Sequence, residues 1–307
     1  MIATSAALVL LCCQQNTAEF AGKIDVDVRE DDVALRRLRL GVEGEFGEGS
    51  NYIFSINNDV ENKDSSLHEM MIWFDHSWGI TEIGYFKEPF GLENSHSSHE
   101  VNFLERSDAT LLAADHNIGF ANYIEIDDMT HLSWGVYRNS VSARYVNLLV
   151  AKEDVSNFWH VGASIGGRES DRFFRGDEIM LFDAETLYQD GPFSFQAEAQ
   201  LLEIDDTESI SITAQASYVL RGEARIYDIA KSKFSFPEEA GDIEVALRAT
   251  RVDMTEYQPA MSVINDYNFA LNYYLDDSSK LQLEVERGSD GLSDEQTTVA
   301  LRYHFRW

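Results

Sequence analysis

This chain of 307 residues has little of several residue types. It contains four prolines and two cysteines, and Cys12 and Cys13 both lie in an apolar segment near the N-terminus. If that segment is removed on export, the mature protein has no cysteine and can form no disulfide bond. No apolar run reaches about 18 residues, which excludes a helical membrane span. A Ser/Gly-rich linker and a fixed-period repeat are also missing, so one domain is expected.

Basic residues are scarce as well. The chain has 24 Lys and Arg against 54 Asp and Glu, and its formal net charge is −30, which excludes nucleic acid as a partner. Acidic runs such as 30–32 and 205–208 are interpreted as solvated loops. Bridging of divalent cations at an anionic surface is the more specific alternative.

Catalytic motifs are missing too. No His-Glu-x-x-His run occurs, and the Gly-x-Ser-x-Gly match at 162–166 (GASIG) lies inside an alternating strand segment and not at the strand-to-helix turn that a nucleophile elbow needs, so no enzyme, no metal site and no cofactor is expected. A membrane-embedded hydrolase is the competing class, with Ser142, His116, His131 and His160 as loose candidates.

The N-terminus resembles a secretory signal. An apolar core runs from Ala6 to Cys13 and is followed by small and polar residues, so residues 1–21 are predicted to be a signal peptide and 22–307 the mature domain. The usual basic start is missing, which is consistent with a truncated start. A lipid anchor at Cys12 is the alternative, although Leu11 is larger than the small residue expected before it.

The segment 297–307 (TTVALRYHFRW) shows what the chain is rich in. Val299, Leu301, Tyr303, Phe305 and Trp307 share one face of a strand, and polar or charged residues fill most of the other. About ten residues with one apolar face and terminal aromatics suit a transmembrane β-barrel. A soluble β-sandwich is the alternative.

The same alternation recurs along the chain and predicts an all-β, antiparallel barrel of about 16 strands. Fifteen segments alternate clearly, and 24–28 is a weaker sixteenth. If the first strand runs outward, the long connection 88–117 lies on the outer side and the last strand ends at the periplasmic face. One connection, 220–241, is too long for a tight periplasmic turn and does not fit this scheme.

Five segments carry a resemblance to a known family. They are 36–44 (RRLRLGVEG), 83–93 (IGYFKEPFGLE), 101–107 (VNFLERS), 217–223 (SYVLRGE) and 269–274 (FALNYY). In this order, before a terminal aromatic strand, they resemble the phosphate-selective porin O and P family of the outer membrane of Gram-negative bacteria. The resemblance covers roughly residues 36–307.

The resemblance implies a trimeric porin of sixteen strands whose third outer loop folds inward and narrows the pore. The residues of 88–117 agree, because Pro89 and Gly91 end the strand and 97–114 has helical stop-start character, with 97–100 resembling an N-cap. A connection of this length inside a compact domain is usually functional. A disordered surface loop is the alternative.

Candidate pore-lining residues follow from the alternation. Arg37, Arg39, Arg248, Arg302 and Arg306 are predicted to face the lumen, with Lys87 and Arg106 at the two ends of the constricting loop. Guanidinium and ammonium groups in a pore favour anions such as phosphate. Lumenal arginines can instead simply pair with lumenal acids. The acidic composition accordingly leaves a general or cation-leaning porin as the alternative to an anion channel.

Overall fold

A computed structural model describes residues 17–29, 32–60, 63–151, 157–169, 178–222, 225–228, 231–234, 241–289, 291–292 and 294–307. The predicted signal peptide therefore falls largely outside the described residues. Among those residues, no helix is long and apolar enough to cross a bilayer.

Eighteen strands form within the described part of the chain. They are β1 (Glu19–Arg29), β2 (Asp32–Gly47), β3 (Ser50–Asp59), β4 (Asp64–His76), β5 (Gly79–Lys87), β6 (His116–Asp127), β7 (Thr130–Tyr137), β8 (Ser140–Ala151), β9 (Asn157–Arg168), β10 (Ile179–Asp190), β11 (Phe193–Ile204), β12 (Thr207–Arg221), β13 (Tyr227–Asp228), β14 (Lys233–Phe234), β15 (Ile243–Asp253), β16 (Ile264–Tyr274), β17 (Ser279–Gly288) and β18 (Gln296–Arg306).

Sixteen of these strands form one closed antiparallel barrel, in which every strand pairs with its neighbour in the chain and β1 closes on β18. The remaining two, β13 and β14, form a separate short hairpin. Closure leaves no unpaired edge strand, which is what a membrane barrel requires. The predicted all-β barrel of about 16 strands is confirmed. The strand β1 begins at Glu19, so the predicted domain boundary at residue 22 lies three residues inside it.

The strand β18 has the predicted alternation. Ala300, Arg302 and His304 are buried on the lumenal side. Val299, Leu301 and Tyr303 are 49%, 40% and 39% exposed and point outward. The period of two thus places apolar side chains toward lipid and charged ones inside the barrel.

The connection between β5 and β6, residues 88–115, lies among lumenal side chains and is called the inner connection below. Its start is set by Gly91, which has a φ of 69° and therefore a conformation that favours glycine. A Cβ at this position would lie 2.4 Å from Glu198 Oε1. Phe90, Leu92 and Phe103 are all fully buried. The inner connection therefore packs closely against the inside of the wall.

The helical character predicted for 97–114 is present only in part, because no helix follows the N-cap predicted at 97–100. The inner connection contains one short helix, α1 (Leu92–Ser95), and a 3-10 turn (Asp108–Leu112). Ser97 and Glu100 form half of the expected capping contacts, with Ser97 N donating to Glu100 Oε2, whereas Glu100 N donates to the backbone oxygen of Ser97 and not to its hydroxyl. After this turn, side chains of the barrel wall form hydrogen bonds with backbone groups of Val101 and Leu104. In a helix these groups would form the hydrogen bonds between successive turns.

The second long connection, between β12 and β15, contains the hairpin β13–β14. Tyr227 and Phe234 are buried with Leu92 of the inner connection and Phe158 of the wall. Phe234 N donates to Nε2 of His96 at 3.1 Å. The connection that was too long for a tight turn is thus explained, because part of it enters the barrel and packs against the inner connection.

The register of β18 makes a stability prediction. The variant Leu301→Arg should lose about 2–4 kcal/mol of unfolding free energy, because it places a guanidinium near the middle of the lipid-facing surface. Urea unfolding in lipid vesicles measures this loss. The matched variant Thr297→Arg, outward-facing near the strand end, should lose about 1 kcal/mol or less. Equal losses at the two positions would contradict this register.

Candidate functional site

Buried ion pairs fix the inner connection to the barrel wall. Arg302 Nε donates to Asp27 Oδ1 at 2.6 Å, and its Nη2 donates to Glu105 Oε1 at 3.0 Å. The same guanidinium donates to the backbone oxygen of Leu104. Arg302 therefore joins β18, β1 and the inner connection in a single network.

Two arginines of β2 reach the same carboxylate. Arg37 donates to Asp25 and to Glu105, each at 3.0 Å. Arg36 lies at a β-bulge in the pairing of β1 with β2, and it contacts Asp59 at 2.5 Å and Glu105 at 3.6 Å. The bulge explains why Arg36 breaks the alternation in the sequence and still reaches the lumen.

Glu105 is the acceptor that these arginines share. Loss of surrounding water raises the pKa of this carboxyl, but the charges of Arg37 and Arg302 outweigh that effect and hold its pKa below the ordinary value. Glu105 thus stays ionised at neutral pH and keeps the inner connection bound to the wall.

Arg248 of β15 holds the middle of the inner connection. Its Nη1 donates to Glu93 Oε1 at 3.3 Å and to the backbone oxygen of Glu105 at 3.0 Å. The guanidinium also lies 4.2 Å from the centre of the Phe103 ring, a cation–π contact. This arginine therefore acts as a structural anchor.

Residues 99–102 of the inner connection lie deepest in the barrel. They are bound by strands near the barrel end that carries the chain termini. Lys280 Nζ donates to Val101 O at 2.9 Å, and Asn272 donates to Asn102 O at 3.0 Å. Arg306 donates to His99 Nε2 at 2.9 Å and to Asp277 O. The inner connection enters from the opposite end, so it crosses most of the lumen.

One large cavity remains inside the barrel, with a volume of about 920 Å³. It extends from Met261 and Leu292, near the end opposite the termini, to Ser98 and Lys233, deeper in the lumen. We call it the basic passage, because seven cationic side chains and only three carboxylates line it. The cations are Arg37, Arg39, Lys87, Arg106, Arg168, Lys231 and Lys233, and the carboxylates are Glu69, Glu100 and Asp115.

Lys87 and Arg106 lie together on this passage. Lys87 Nζ donates to Asn94 O at 2.8 Å, and Arg106 donates to His96 O. Among the described residues neither forms an ion pair, and backbone carbonyls orient the two side chains beside the passage. Burial lowers the pKa of the Arg106 guanidinium, which stays cationic at neutral pH because its intrinsic pKa is very high.

A smaller cavity of about 330 Å³ lies on the other side of the inner connection. Its charged lining is mainly acidic, with Glu105, Asp108, Asp266, Glu284 and Glu286 against Arg29, Arg106 and Arg248. The inner connection thus divides the lumen into a basic part and an acidic part.

The structure sorts the seven predicted site residues into two groups. Arg37, Arg39, Lys87 and Arg106 line the basic passage, and the Nε of Arg39 has no hydrogen-bond partner in the described part of the chain. Arg248, Arg302 and Arg306 do not line this passage and bind the inner connection, as Arg37 also does.

Sequence reasoning missed Arg168, Lys231 and Lys233. Lys231 and Lys233 belong to the second long connection, where no alternation marks a lumenal face. Arg168 ends β9 and gave no distinguishing signal.

The closed barrel with charged residues inside and apolar residues outside is similar to solved outer-membrane proteins. The outer membrane channel DcaP of Acinetobacter baumannii has a TM-score of 0.65 at 11% identity, covering 95% of this chain and 97% of that one. An anion-selective porin from Comamonas acidovorans has a TM-score of 0.60 at 9% identity, covering 95% and 100%. The trimer form of OmpT from Vibrio cholerae has a TM-score of 0.59 at 11% identity, covering 96% and 100%.

The fold and this lining define a porin of the outer membrane of a Gram-negative bacterium. A model of the family described as phosphate-selective porin O and P matches residues 13–165 of the chain. The resemblance drawn from the motifs is confirmed. Motifs 217–223 and 269–274 lie beyond the match and stay predictions. No curated protein sequence matches the chain.

The ion pairs of Arg302 can be tested by removing its charge. Arg302→Gln should lose about 3 kcal/mol of unfolding free energy, because it leaves the buried carboxylate of Asp27 and the partly exposed carboxylate of Glu105 without this partner, while Arg29 still reaches Asp27. The same change at Arg287, whose pair with Glu295 is exposed, should cost about 1 kcal/mol or less. Chemical unfolding of both variants measures the difference. Similar small losses would mean that Arg302 does not anchor the inner connection.

Proposed function

We propose that this porin conducts small anions such as phosphate through the basic passage. The observation that carries the proposal is the charge of the passage, where seven cations face three carboxylates. Guanidinium groups supply permanent charge, and guanidinium and ammonium groups both supply several donors to phosphate-like anions. The passage therefore favours anions over cations at the point where an ion contacts the wall.

The acidic surplus of the whole chain does not contradict this proposal. A charge influences an ion in a pore mainly at close range, because salt screens it over about 8–10 Å. Asp25, Asp27 and Glu105 are already paired with arginines of the wall. The cations of the passage thus act where the pore is narrow, while many carboxylates are neutralised or distant.

A general or cation-leaning porin is the second candidate. The acidic lining of the smaller cavity favours it, because a second route past the inner connection would meet five carboxylates. The volumes favour the first candidate, since the smaller cavity has about 330 Å³ against 920 Å³ for the basic passage.

The arrangement in the membrane belongs to the same proposal. We place the barrel end that carries the termini at the periplasm, so that the inner connection enters from outside and forms the constriction. The passage then works by diffusion and needs no catalytic group or cofactor. We expect residues 1–21 to direct export and to be absent from the mature porin.

A homotrimer in outer-membrane lipid is also proposed. It is supported by the solved trimer form of OmpT, which has the same fold. Migration of unheated protein near three times the monomer mass in mild detergent supports a trimer, and migration as a monomer contradicts it.

The experiment on selectivity is the reversal potential in a salt gradient across a planar bilayer. The wild type should show an anion preference, and Lys87→Gln with Arg106→Gln should shift the potential toward cations. The control pair is Arg251→Gln with Arg287→Gln, which removes the same charge from exposed side chains. This control should leave the potential unchanged.

The outcomes separate the two candidates. A cation-selective wild type contradicts anion conduction and leaves the second candidate. An anion preference that the double variant does not reduce contradicts the role of Lys87 and Arg106.

A further inference from the structure

A cluster of two histidines and two carboxylates lines the basic passage and takes no part in the ion pairs that hold the inner connection. Ligand atoms of His68, Glu69 and His116 all lie within 4.8 Å of one another. Asp115 lies directly behind His116, with its Oδ1 2.9 Å from His116 Nδ1. All four residues border the basic passage.

A bulge in β4 brings two of these ligands to the same face. In the pairing of β3 with β4, Ser55 pairs with Glu69 and Ile56 with Leu67, so His68 is the extra residue. Consecutive residues of a regular strand point to opposite faces, but a bulge re-aims one of them. His68 and Glu69 therefore both reach the lumen, and His68 Nε2 lies 3.8 Å from Glu69 Oε2.

The end of a neighbouring strand pair supplies the third ligand. The pairing of β4 with β5 stops at Met70 and Tyr85, while β5 and β6 remain paired as far as Lys87 and His116. Beyond the point where β4 separates, the ring of His116 lies 4.8 Å from the ring of His68.

The hydrogen bonding of His116 indicates what this arrangement can bind. Its Nδ1 meets the Asp115 carboxylate, which fixes the proton on that nitrogen and leaves the Nε2 lone pair free. Nε2 is buried and has no hydrogen-bond partner among the described residues. A carboxylate that orients a histidine in this way is the usual support of a metal-ligating imidazole.

We propose that His68, Glu69 and His116 bind a divalent transition-metal ion such as Zn²⁺ in the wall of the basic passage. Two imidazoles and one carboxylate with an open fourth position form a donor set that suits Zn²⁺. Binding at about 2.0–2.2 Å from each ligand requires the three side chains to rotate toward one another. The site is reached from the passage itself, because the side chains of His68, Glu69 and His116 are 17%, 26% and 13% exposed.

The charge around the site is mixed, so the ligand atoms decide which metal ion the site prefers. Arg39 and Lys87 border the same passage and oppose cation binding, while Glu69 and Asp115 offset a charge of +2. The hard ions Mg²⁺ and Ca²⁺, which prefer oxygen ligands, should gain little from two imidazoles. The site therefore discriminates by ligand chemistry more than by charge.

Calorimetric titration of the purified, tag-free porin with ZnCl₂ tests the binding, and MgCl₂ serves as the ion control. Wild-type protein should bind one Zn²⁺ per chain and give no comparable signal with Mg²⁺. His116→Ala and His68→Asn should abolish this binding, and Asp115→Asn should weaken it by about 10- to 100-fold. Glu69→Gln is the variant to use if a histidine variant fails to fold.

The matched control is His76→Ala, because His76 is a histidine of the same strand that stacks on Trp78 outside the cluster. It should bind Zn²⁺ as the wild type does. Zinc should also reduce single-channel conductance of the wild type but not of His116→Ala. Absence of Zn²⁺ binding, or equal binding by the wild type and His116→Ala, overturns the proposal. Binding without any change in conductance contradicts its place in the conducting passage.

Discussion

The pairing of wall arginines with carboxylates of the inner connection is the interaction on which the rest of the lumen depends. Arg37, Arg302 and Arg248 hold Glu105 and Glu93 at three points around the barrel. Such buried pairs add little net stability compared with apolar packing, but the loss of one partner is costly. Their effect is therefore to fix one position of the inner connection against the wall.

This position determines how charge is distributed in the pore. Four of the arginines that the alternation places in the lumen bind the inner connection, namely Arg37, Arg248, Arg302 and Arg306. Lys87 and Arg106 are oriented by the backbone of the same segment. An acidic protein can thus present a basic passage, because its carboxylates and its cations lie on different sides of one folded connection.

The fold could be predicted from the sequence because a barrel strand repeats its pattern every two residues. All sixteen barrel strands follow from this pattern, and β18 from Gln296 to Arg306 shows it most clearly. The same reasoning found Arg37 and Arg39, which lie within a strand. The family resemblance supplied the expectation that 88–117 folds inward.

Features that depend on irregular backbone could not be predicted in this way. The bulges that turn Arg36 and His68 into the lumen have no signature in the alternation. Lys231 and Lys233 lie in a connection whose position is set by tertiary packing of Tyr227 and Phe234. For the same reason no helix follows the N-cap predicted at 97–100, since wall side chains bind the backbone of Val101 and Leu104.

Deletion of residues 95–112 tests the central claim, that the inner connection narrows the lumen and makes the remaining passage basic. The two ends that the deletion joins are already close together, because Asn94 Nδ2 donates to Ala114 O at 2.5 Å. The deletion is therefore compatible with the fold. The account predicts that single-channel conductance rises and the anion preference falls, since salt screens the wall charges over about 8–10 Å and most ions in the widened pore pass beyond that distance. A folded deletion variant with unchanged conductance and selectivity would contradict it.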